Sequence, residues 1–369
     1  MRNFASGRKC SFTNQVVIVL LGLLIAGCSS STSEEQWAEG KPGHHTQNGF
    51  RNYPDDPEFG PVNSGFYFRR VMDSFFLPDV PGDHYLPEKD AIERYQQLAG
   101  HNTITWLGHA TFLIRMNGLT ILTDPFLTEY SGPFWIIGAR RFVQPGISLD
   151  NLPPIDIVVA THNHPDHLDA ETIESLPVKD NIRVFAPLGL TPFFKDKGYT
   201  HVEELDWEES HTFGGIEFTA LPTIHYSGRG MNDKNKTLWC AWSIKSPSTK
   251  VFFSGDTAYS PTIFKNIGEE RGPYDAALVT IGAYKTRQYG PASHLTPEEA
   301  IKVVMETHSD IAVAMHWGTI ELSDEPPLEP PERFKKAALQ NDLPADNVWV
   351  MKIGETRLLV DEMQKRQRE

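Results

Sequence analysis

The densest group of side chains suited to chemistry lies in the segment 162–169, HNHPDHLD. It follows a continuous apolar run at 155–161, which is typical of a strand buried on both faces. Alternate residues of an extended segment point the same way, so His162 and His164 can bind one ion. Asp166 and His167 follow a proline that bends the chain, so they can face a second point. Imidazole and carboxylate suit zinc and its first-row neighbours, and the segment predicts a metal site rather than a histidine-rich surface loop.

Further candidate ligands stand where other predicted strands end. His225 follows EFTALPTI, Asp256 ends KVFFSGD, and His316 lies in IAVAMHW. Taken alone, each of these residues is more often an ordinary polar residue with its hydrogen bonds satisfied. Together they would converge on one edge of a sheet, as expected for a site built on loops over a rigid scaffold.

The surrounding sequence predicts the elements that would hold these side chains. A turn at Asn117-Gly118 divides two β-rich runs, which indicates a hairpin. Thr296, followed by proline and two glutamates, is a good N-cap for a helix. Predicted strands cover 104–108, 111–116, 119–125, 155–161, 183–187, 217–222, 238–244, 250–256, 276–282, 311–318 and 356–361, and predicted helices 168–176, 189–197, 261–268, 296–307 and 332–341. Strand pairs followed by alternating strands and helices indicate a layered α/β sandwich.

The sequence resembles the metallo-β-lactamase fold, and within it the branch of N-acylphosphatidylethanolamine-hydrolysing phospholipase D. The resemblance extends from about residue 100 to 360. It is carried by the motifs LTDP (122–125), LPPID (152–156), HNHPDHLD (162–169), PLGL (187–190), ELDW (204–207), PTIHYSGR (222–229), DKNKTLWCAWS (233–243), FFSGDTAY (252–259), GPYD (272–275), IGAY (281–284), HLTPEEA (294–300), MHWGT (315–319) and LEPP (328–331). It implies an αββα four-layer sandwich with two Zn²⁺ ions at the sheet edge.

The resemblance also implies a role for each site residue. One zinc would be held by His162, His164 and His225, and the other by Asp166, His167 and His316, with Asp256 bridging the two. Asp256 would also act in catalysis. His294 matches a family histidine near the reacting phosphate, where it would donate a proton or stabilise charge; a helix-entry residue without a catalytic part is the alternative. Asp124 would accept a hydrogen bond from a ligand imidazole. His109 is expected close to the site, with packing as its main role.

The implied activity is a zinc-dependent phosphodiesterase that converts N-acylphosphatidylethanolamine-like phospholipids into phosphatidate and N-acylethanolamine. Two divalent ions lower the pKa of water and stabilise both oxygens of a displacement at phosphorus. The matches fade before residue 100, so the lipid substrate is not fixed by them. Another metal-dependent hydrolase, such as a lactonase or a soluble phosphodiesterase, is the alternative because one fold hosts many chemistries. A non-catalytic zinc-binding envelope lipoprotein is a second alternative.

The first residues are typical of an export signal. Arg2, Arg8 and Lys9 precede an eleven-residue apolar run at 16–26, which is too short to span a bilayer as a helix. The run ends in LIAGC, which resembles the lipobox of bacterial lipoproteins and implies cleavage at 1–27 and lipid attachment to Cys28. Ser29 would then favour the outer membrane, facing the periplasm. A buried core helix and an ordinary secreted protein are the alternatives.

The predicted organisation is a signal peptide (1–27), a lipidated cysteine with a flexible tether (28–50), a wrapping segment with one short helix (51–100) and a catalytic domain (101–361). Aromatic residues of the wrapping segment would contact a membrane or form a packing edge. They are Phe66, Phe68, Phe75 and Phe76, with Leu77 beside them. The expected partners are a phospholipid substrate and the membrane that holds the lipid anchor. The sequence is also compatible with a homodimer.

Composition excludes other classes of protein. The formal net charge of −14 argues against nucleic-acid binding, which needs a basic face. Three cysteines exclude a disulfide-rich scaffold, and Cys240 in an apolar run predicts a buried core residue.

Overall fold

The computed structural model describes residues 40–57, 77–134, 137–230, 232–289 and 291–359. The predicted signal peptide, Cys28, the first half of the tether (29–39), the four phenylalanines of the wrapping segment and residues 360–361 lie outside the described residues. The chain divides after Asn48 into two units. The described part of the first unit contains strand β1 (His45–Thr46). The second unit begins with β2 (Gly49–Phe50) and contains the remaining elements described below.

The first large sheet has seven strands within the described ranges. In order across the sheet they are β10 (His201–Leu205), β9 (Arg183–Pro187), β8 (Ile157–Val159), β5 (Leu119–Thr123), β4 (Thr111–Met116), β3 (Thr103–Gly108) and β18 (Thr356–Leu358). Strand β18 and the β3–β4–β5 meander pair antiparallel, whereas β5, β8, β9 and β10 run parallel. The hairpin predicted at Asn117-Gly118 joins β4 to β5, and both turn residues have the positive φ that this tight turn requires.

The second large sheet also has seven described strands. Its order is β11 (Ser210–Phe213), β12 (Ile216–Leu221), β13 (Ala241–Lys245), β14 (Lys250–Phe253), β15 (Tyr274–Thr280), β16 (Ser309–Met315) and β17 (Val348–Trp349). Strands β11 to β14 pair antiparallel, and β14 to β17 run parallel. A separate hairpin is formed by β6 (Tyr130–Phe134) and β7 (Ile137–Arg140).

Alternation along the strands explains why the sheets form layers. On β4, Phe112 and Ile114 point into the core shared with the second sheet, whereas Leu113 points to the opposite face. The two sheets meet directly where Phe185 of β9 stacks on Phe218 of β12, with ring centroids 4.1 Å apart.

Helices cover the outer faces of both sheets. Helices α1 (Glu88–Gln97), α2 (Ala170–Ser175) and α3 (Thr191–Asp196) share the core of the first sheet's outer face, and α4 (Pro261–Arg271), α5 (Pro297–Glu306) and α6 (Glu329–Gln340) pack with the second sheet. Short 3-10 helices lie at Leu149–Asn151, Lys179–Asn181, Tyr284–Tyr289 and Ala345–Asn347. The predicted αββα sandwich is therefore confirmed. No helix in the described residues is long and apolar enough to cross a membrane.

The predicted cap and the predicted core cysteine are also observed. The Thr296 hydroxyl accepts from the Glu299 amide at 3.2 Å, and the Glu299 carboxylate accepts from the Thr296 amide at 2.9 Å. Cys240 is buried and unpaired. Strands β10 and β11 were not predicted, because HVEEL and SHTF are polar edge strands without a continuous apolar run.

Candidate metal centre

Strand ends from both sheets bring the candidate residues to one edge of the sandwich. The HNHPDHLD segment follows β8 of the first sheet, and Asp124 follows β5. His225, Asp256 and His316 follow β12, β14 and β16 of the second sheet. Rigid strands thus support a site made of connecting segments.

Several of these connections have unusual backbone angles. His109, Asp124 and His316 have φ values of 54°, 34° and 62°, in the left-handed region that residues with a Cβ rarely adopt. His109 lies in the turn between β3 and β4, and its carbonyl accepts a hydrogen bond from the His316 amide at 3.0 Å. Such angles persist where the surroundings hold the chain firmly, and they occur often at functional sites.

The first ligand group consists of His162, His164, His225 and Asp256, each with a ligand atom within 4.8 Å of the others. His162 Nε2 lies 2.8 Å from His164 Nδ1, and His225 Nε2 lies 3.2 Å from the same atom. Burial lowers the pKa of His162 and of His225 well below the ordinary value, so both imidazoles stay neutral, the form that binds a metal.

The second ligand group consists of Asp166, His167 and His316, joined by His109. Asp166 Oδ2 lies 3.6 Å from His167 Nε2 and 3.7 Å from His316 Nε2. His109 Nε2 lies 2.9 Å from the same carboxylate oxygen. The residue expected mainly to pack is therefore in contact with a candidate ligand.

Asp256 lies between the two groups. Its Oδ2 is 3.8 Å from His225 Nε2 and 3.1 Å from His167 Nε2, and its Oδ1 is 3.2 Å from His316 Nε2. Burial alone would raise the pKa of Asp256, but His167 and His316 hold it well below its usual range. The carboxylate is thus ionised and placed to contact ions in both groups.

Two buried ring nitrogens without a hydrogen-bond partner among the described residues indicate that this site binds cations. His167 Nε2 and His316 Nε2 are buried and have no hydrogen-bond partner in the part of the chain that the structure describes. Buried polar atoms are rarely left unpaired, and each of these faces the carboxylates of Asp166 and Asp256. Together with the neutral imidazoles of His162 and His225, the residues present fit divalent metal ions.

Hydrogen bonds behind the site fix the candidate ligands. Asp124 is fully buried, and its Oδ2 accepts from His167 Nδ1 at 2.7 Å, the contact with a ligand imidazole that the sequence predicted. Burial raises the pKa of Asp124, while hydrogen bonds from His167 and Thr161 favour the ionised form. His225 Nδ1 donates to the Ser293 carbonyl at 3.0 Å.

His294 lies beside Asp256 in the same site. Its Nε2 is 3.1 Å from Asp256 Oδ2, and its Nδ1 is 3.0 Å from the Ser293 hydroxyl. Its side chain is 10% exposed, compared with 0% for His316. His294 is therefore more accessible than His316 while it stays in contact with Asp256.

Sequence reasoning missed Arg229 as a support of the candidate metal-binding segment, residues 162–169. Its Nη1 donates to the carbonyls of Asn163 and Leu168, at 2.8 and 2.6 Å. The Gly228 amide donates to Asn163 Oδ1 at 2.7 Å. PTIHYSGR was noted as a motif, but its spacing carries no signal for contacts with a segment about sixty residues away.

A small pocket lies beside His316. Its lining combines apolar side chains such as Ile320 and Leu322 with the carboxylates of Glu321 and Glu325.

A family model described as the Beta-lactamase superfamily domain matches residues 120–317, which include all seven candidate metal ligands. The chain belongs to the beta-lactamase superfamily. It is a metal-dependent hydrolase with the metallo-β-lactamase fold.

The chain is similar to a phospholipase D and to a metal-dependent hydrolase. The chain is 35% identical to N-acyl-phosphatidylethanolamine-hydrolyzing phospholipase D 1 of Caenorhabditis elegans, over 63% of this chain and 68% of that protein. It is 30% identical to a UPF0173 metal-dependent hydrolase of Methanopyrus kandleri, over 69% of this chain and 98% of that protein. Thus the match covers about two thirds of the length of the nematode relative.

A solved structure supports the fold independently. CmlA, a diiron beta-hydroxylase from Streptomyces venezuelae, matches with a TM-score of 0.52 at 21% identity, over 84% of this chain and 67% of that chain. At this identity the likeness concerns the fold alone.

Proposed function

We propose that this hydrolase is a zinc-dependent phosphodiesterase of the phospholipase D type. Its substrates are N-acylphosphatidylethanolamine-like phospholipids, and its products are phosphatidate and N-acylethanolamine. The observation that carries the proposal is the position of Asp256 between two histidine groups, with His294 Nε2 3.1 Å from its Oδ2. The 35% identity to the nematode phospholipase D supports the choice of substrate.

The ligand groups define what the ions would do. Bound there, two divalent ions would lower the pKa of water and stabilise charge on the phosphodiester. Asp256 supplies a buried negative charge that faces both groups, and Asp166 adds a second one. The two carboxylates offset only part of the positive charge of the ions. The pocket would therefore still attract an anionic phosphodiester, although the whole chain carries −14.

A residue of the chain itself, His294, would protonate the leaving group. His294 is held at Nδ1 by Ser293 and presents Nε2 to the interior of the pocket beside Asp256. From there it can transfer a proton to the oxygen that leaves phosphorus. The head-group alkoxide would then depart as the neutral alcohol.

A vesicle assay tests the substrate. Purified protein is incubated with phosphatidylcholine vesicles containing N-acylphosphatidylethanolamine in heavy-oxygen water. We expect phosphatidate and N-acylethanolamine by mass spectrometry, with the heavy oxygen in phosphatidate because the phosphorus–oxygen bond breaks. Asp256→Asn should abolish turnover with the fold retained, and Asp180→Asn on the exposed surface is the matched control.

The match to the UPF0173 metal-dependent hydrolase over nearly its full length favours a second candidate. A lactone and a water-soluble phosphodiester are therefore assayed in parallel. Hydrolysis of either one, without release of phosphatidate from the vesicles, would assign a lactonase or a soluble phosphodiesterase instead.

Elemental analysis decides the metal. We expect about two zinc ions per chain from a donor set of imidazoles and carboxylates. The same donors suit iron, and CmlA, the solved structure with a matching fold, is a diiron enzyme. Iron in place of zinc would overturn the zinc assignment and leave the ligand groups intact.

The proposed anchor would keep the enzyme at its lipid substrate. Lipid on Cys28 would hold it at the bacterial outer membrane, facing the periplasm. Labelling with a radioactive fatty acid tests this, and Cys28→Ala should release the protein from the membrane fraction. Light scattering of the purified protein distinguishes a monomer from the homodimer that the sequence leaves open.

A further inference from the structure

Thr161 lies between the buried Asp124 carboxylate and the first histidine of the metal-binding segment. Its amide donates to Asp124 Oδ1 at 2.7 Å, and its hydroxyl lies 2.7 Å from Asp124 Oδ2. The same hydroxyl oxygen lies 2.9 Å from His162 Nδ1. The side chain is buried, with 1% of the residue exposed.

The hydrogens in this chain of contacts have one consistent arrangement when Asp124 is ionised. A carboxylate only accepts, so the single hydroxyl hydrogen of Thr161 is donated to Asp124. The hydroxyl oxygen must then accept from His162 Nδ1–H. That tautomer leaves the lone pair on His162 Nε2, the atom that faces His164 and the first ligand group.

Asp124 makes an equivalent contact with the second ligand group. His167 Nδ1 donates directly to Asp124 Oδ2 at 2.7 Å, which leaves His167 Nε2 facing Asp256. One carboxylate therefore serves two imidazoles, His167 directly and His162 through a hydroxyl.

We propose that Thr161 is a positioning residue that extends the Asp124 carboxylate to His162, so that one buried acid orients one imidazole in each metal-ligand group. This inference rests on the proposed two-ion centre and is independent of the substrate. Metal-ligating histidines commonly donate their other nitrogen to a carboxylate, and loss of that partner costs about 10–100-fold in metal affinity.

Thr161 is itself held by the second sheet. Its carbonyl accepts from the Cys240 amide at 2.9 Å, and the neighbouring Ala160 carbonyl accepts from Trp242 Nε1 at 2.9 Å. A Cβ added to Gly255 would lie 2.7 Å from Thr161 Cβ and Cγ2. The threonine thus packs against the residue that precedes Asp256, which leaves it little freedom to rotate.

Metal binding to the chelated, metal-free protein tests the proposal. Cobalt(II) alone is titrated in and followed by its visible absorption, with a competing chelator to fix both dissociation constants. His225→Ala and His316→Ala assign the two binding steps to their ligand groups. Thr161→Val keeps the shape and removes the hydroxyl. Thr161→Ser and Thr161→Ala form a second pair that differs only in the hydroxyl, should the valine variant fail to fold.

We expect Thr161→Val to weaken the step assigned to the His162, His164 and His225 group by about 10–100-fold, with the other step within about threefold of wild type. Thr161→Ser should bind like wild type, and Thr161→Ala like the valine variant. Equal weakening of both steps, or unchanged binding in the variants without the hydroxyl, would overturn the inference. A wild-type protein that takes up no cobalt would instead refute the two-ion centre.

Discussion

His109 Nε2 lies 2.9 Å from Asp166 Oδ2, and the His109 ring stands 4.0 Å from that of His316, centroid to centroid. One imidazole from the β3–β4 turn therefore contacts a candidate carboxylate ligand and packs on a candidate histidine ligand. Burial lowers the pKa of His109 to about 3, so at neutral pH it acts as a neutral hydrogen-bond donor to Asp166.

His109→Ala is expected to lower kcat/KM by about 10–100-fold, because Asp166 loses the donor that orients it. Metal analysis should show loss from the second ligand group, with His225 and its neighbours still loaded. The matched control is His101→Ala, an exposed histidine eight residues earlier in the chain. Wild-type activity in His109→Ala would mean that His109 has only a packing role.

His294→Ala is expected to lower kcat on the phospholipid by about 10²–10⁴-fold, the usual contribution of a positioned general acid. KM and metal content should stay unchanged. A diester with a nitrophenol leaving group needs little proton donation, so its turnover should fall much less.

His294→Gln separates the two roles of this imidazole. Glutamine can donate a hydrogen bond to Asp256 but cannot transfer a proton at neutral pH. Recovery of full activity in His294→Gln would mean that His294 only positions Asp256.

Arg229→Met is expected to destabilise the protein by about 1–3 kcal/mol, because the Asn163 and Leu168 carbonyls lose their charged, partly buried donor. Equilibrium urea unfolding measures the change. Arg140→Met removes a surface ion pair with Glu129 and should stay within about 0.5 kcal/mol of wild type. Comparable losses in the two variants would contradict a special role for Arg229.

His84 predicts a pH dependence of stability. Its Nε2 lies 2.6 Å from the Gly318 carbonyl, and its ring packs on Trp317, with centroids 4.9 Å apart. Burial lowers the pKa of His84, although the Gly318 carbonyl and Asp83 act in the opposite direction. The unfolded chain therefore takes up a proton before the folded one does, and stability falls as the pH drops below about 6.5.

His84→Gln lacks this titration. The difference in unfolding free energy between wild type and His84→Gln should shrink with acidification, by at most about 1.4 kcal/mol per pH unit. Urea unfolding at several pH values measures it, with His101→Gln as the exposed control. A difference that does not change between pH 8 and pH 5 would contradict the assignment.

Local pattern was enough to predict much of this protein. The layered α/β sandwich followed from apolar runs and from turn residues such as Asn117-Gly118, because alternation along a strand and positive φ at a turn are properties of neighbouring residues. The Thr296 cap was predicted for the same reason. The four-layer αββα order was implied by the resemblance to the metallo-β-lactamase fold. The polar edge strands β10 and β11 were not predicted from the sequence, because pairing with β9 and β12 stabilises them more than their own composition does.

The sequence alone also determined which residues could hold metal, since HNHPDHLD carries its ligand types and spacing within eight residues. Only the tertiary structure decided the supports: His109 on Asp166, Arg229 on the metal-binding segment, and Thr161 between Asp124 and His162. The side chains of Asp124 and Thr161 are 37 positions apart, and His109 and Asp166 are 57 apart. Such contacts depend on which strand ends become neighbours across a sheet, and no local period in the chain encodes that.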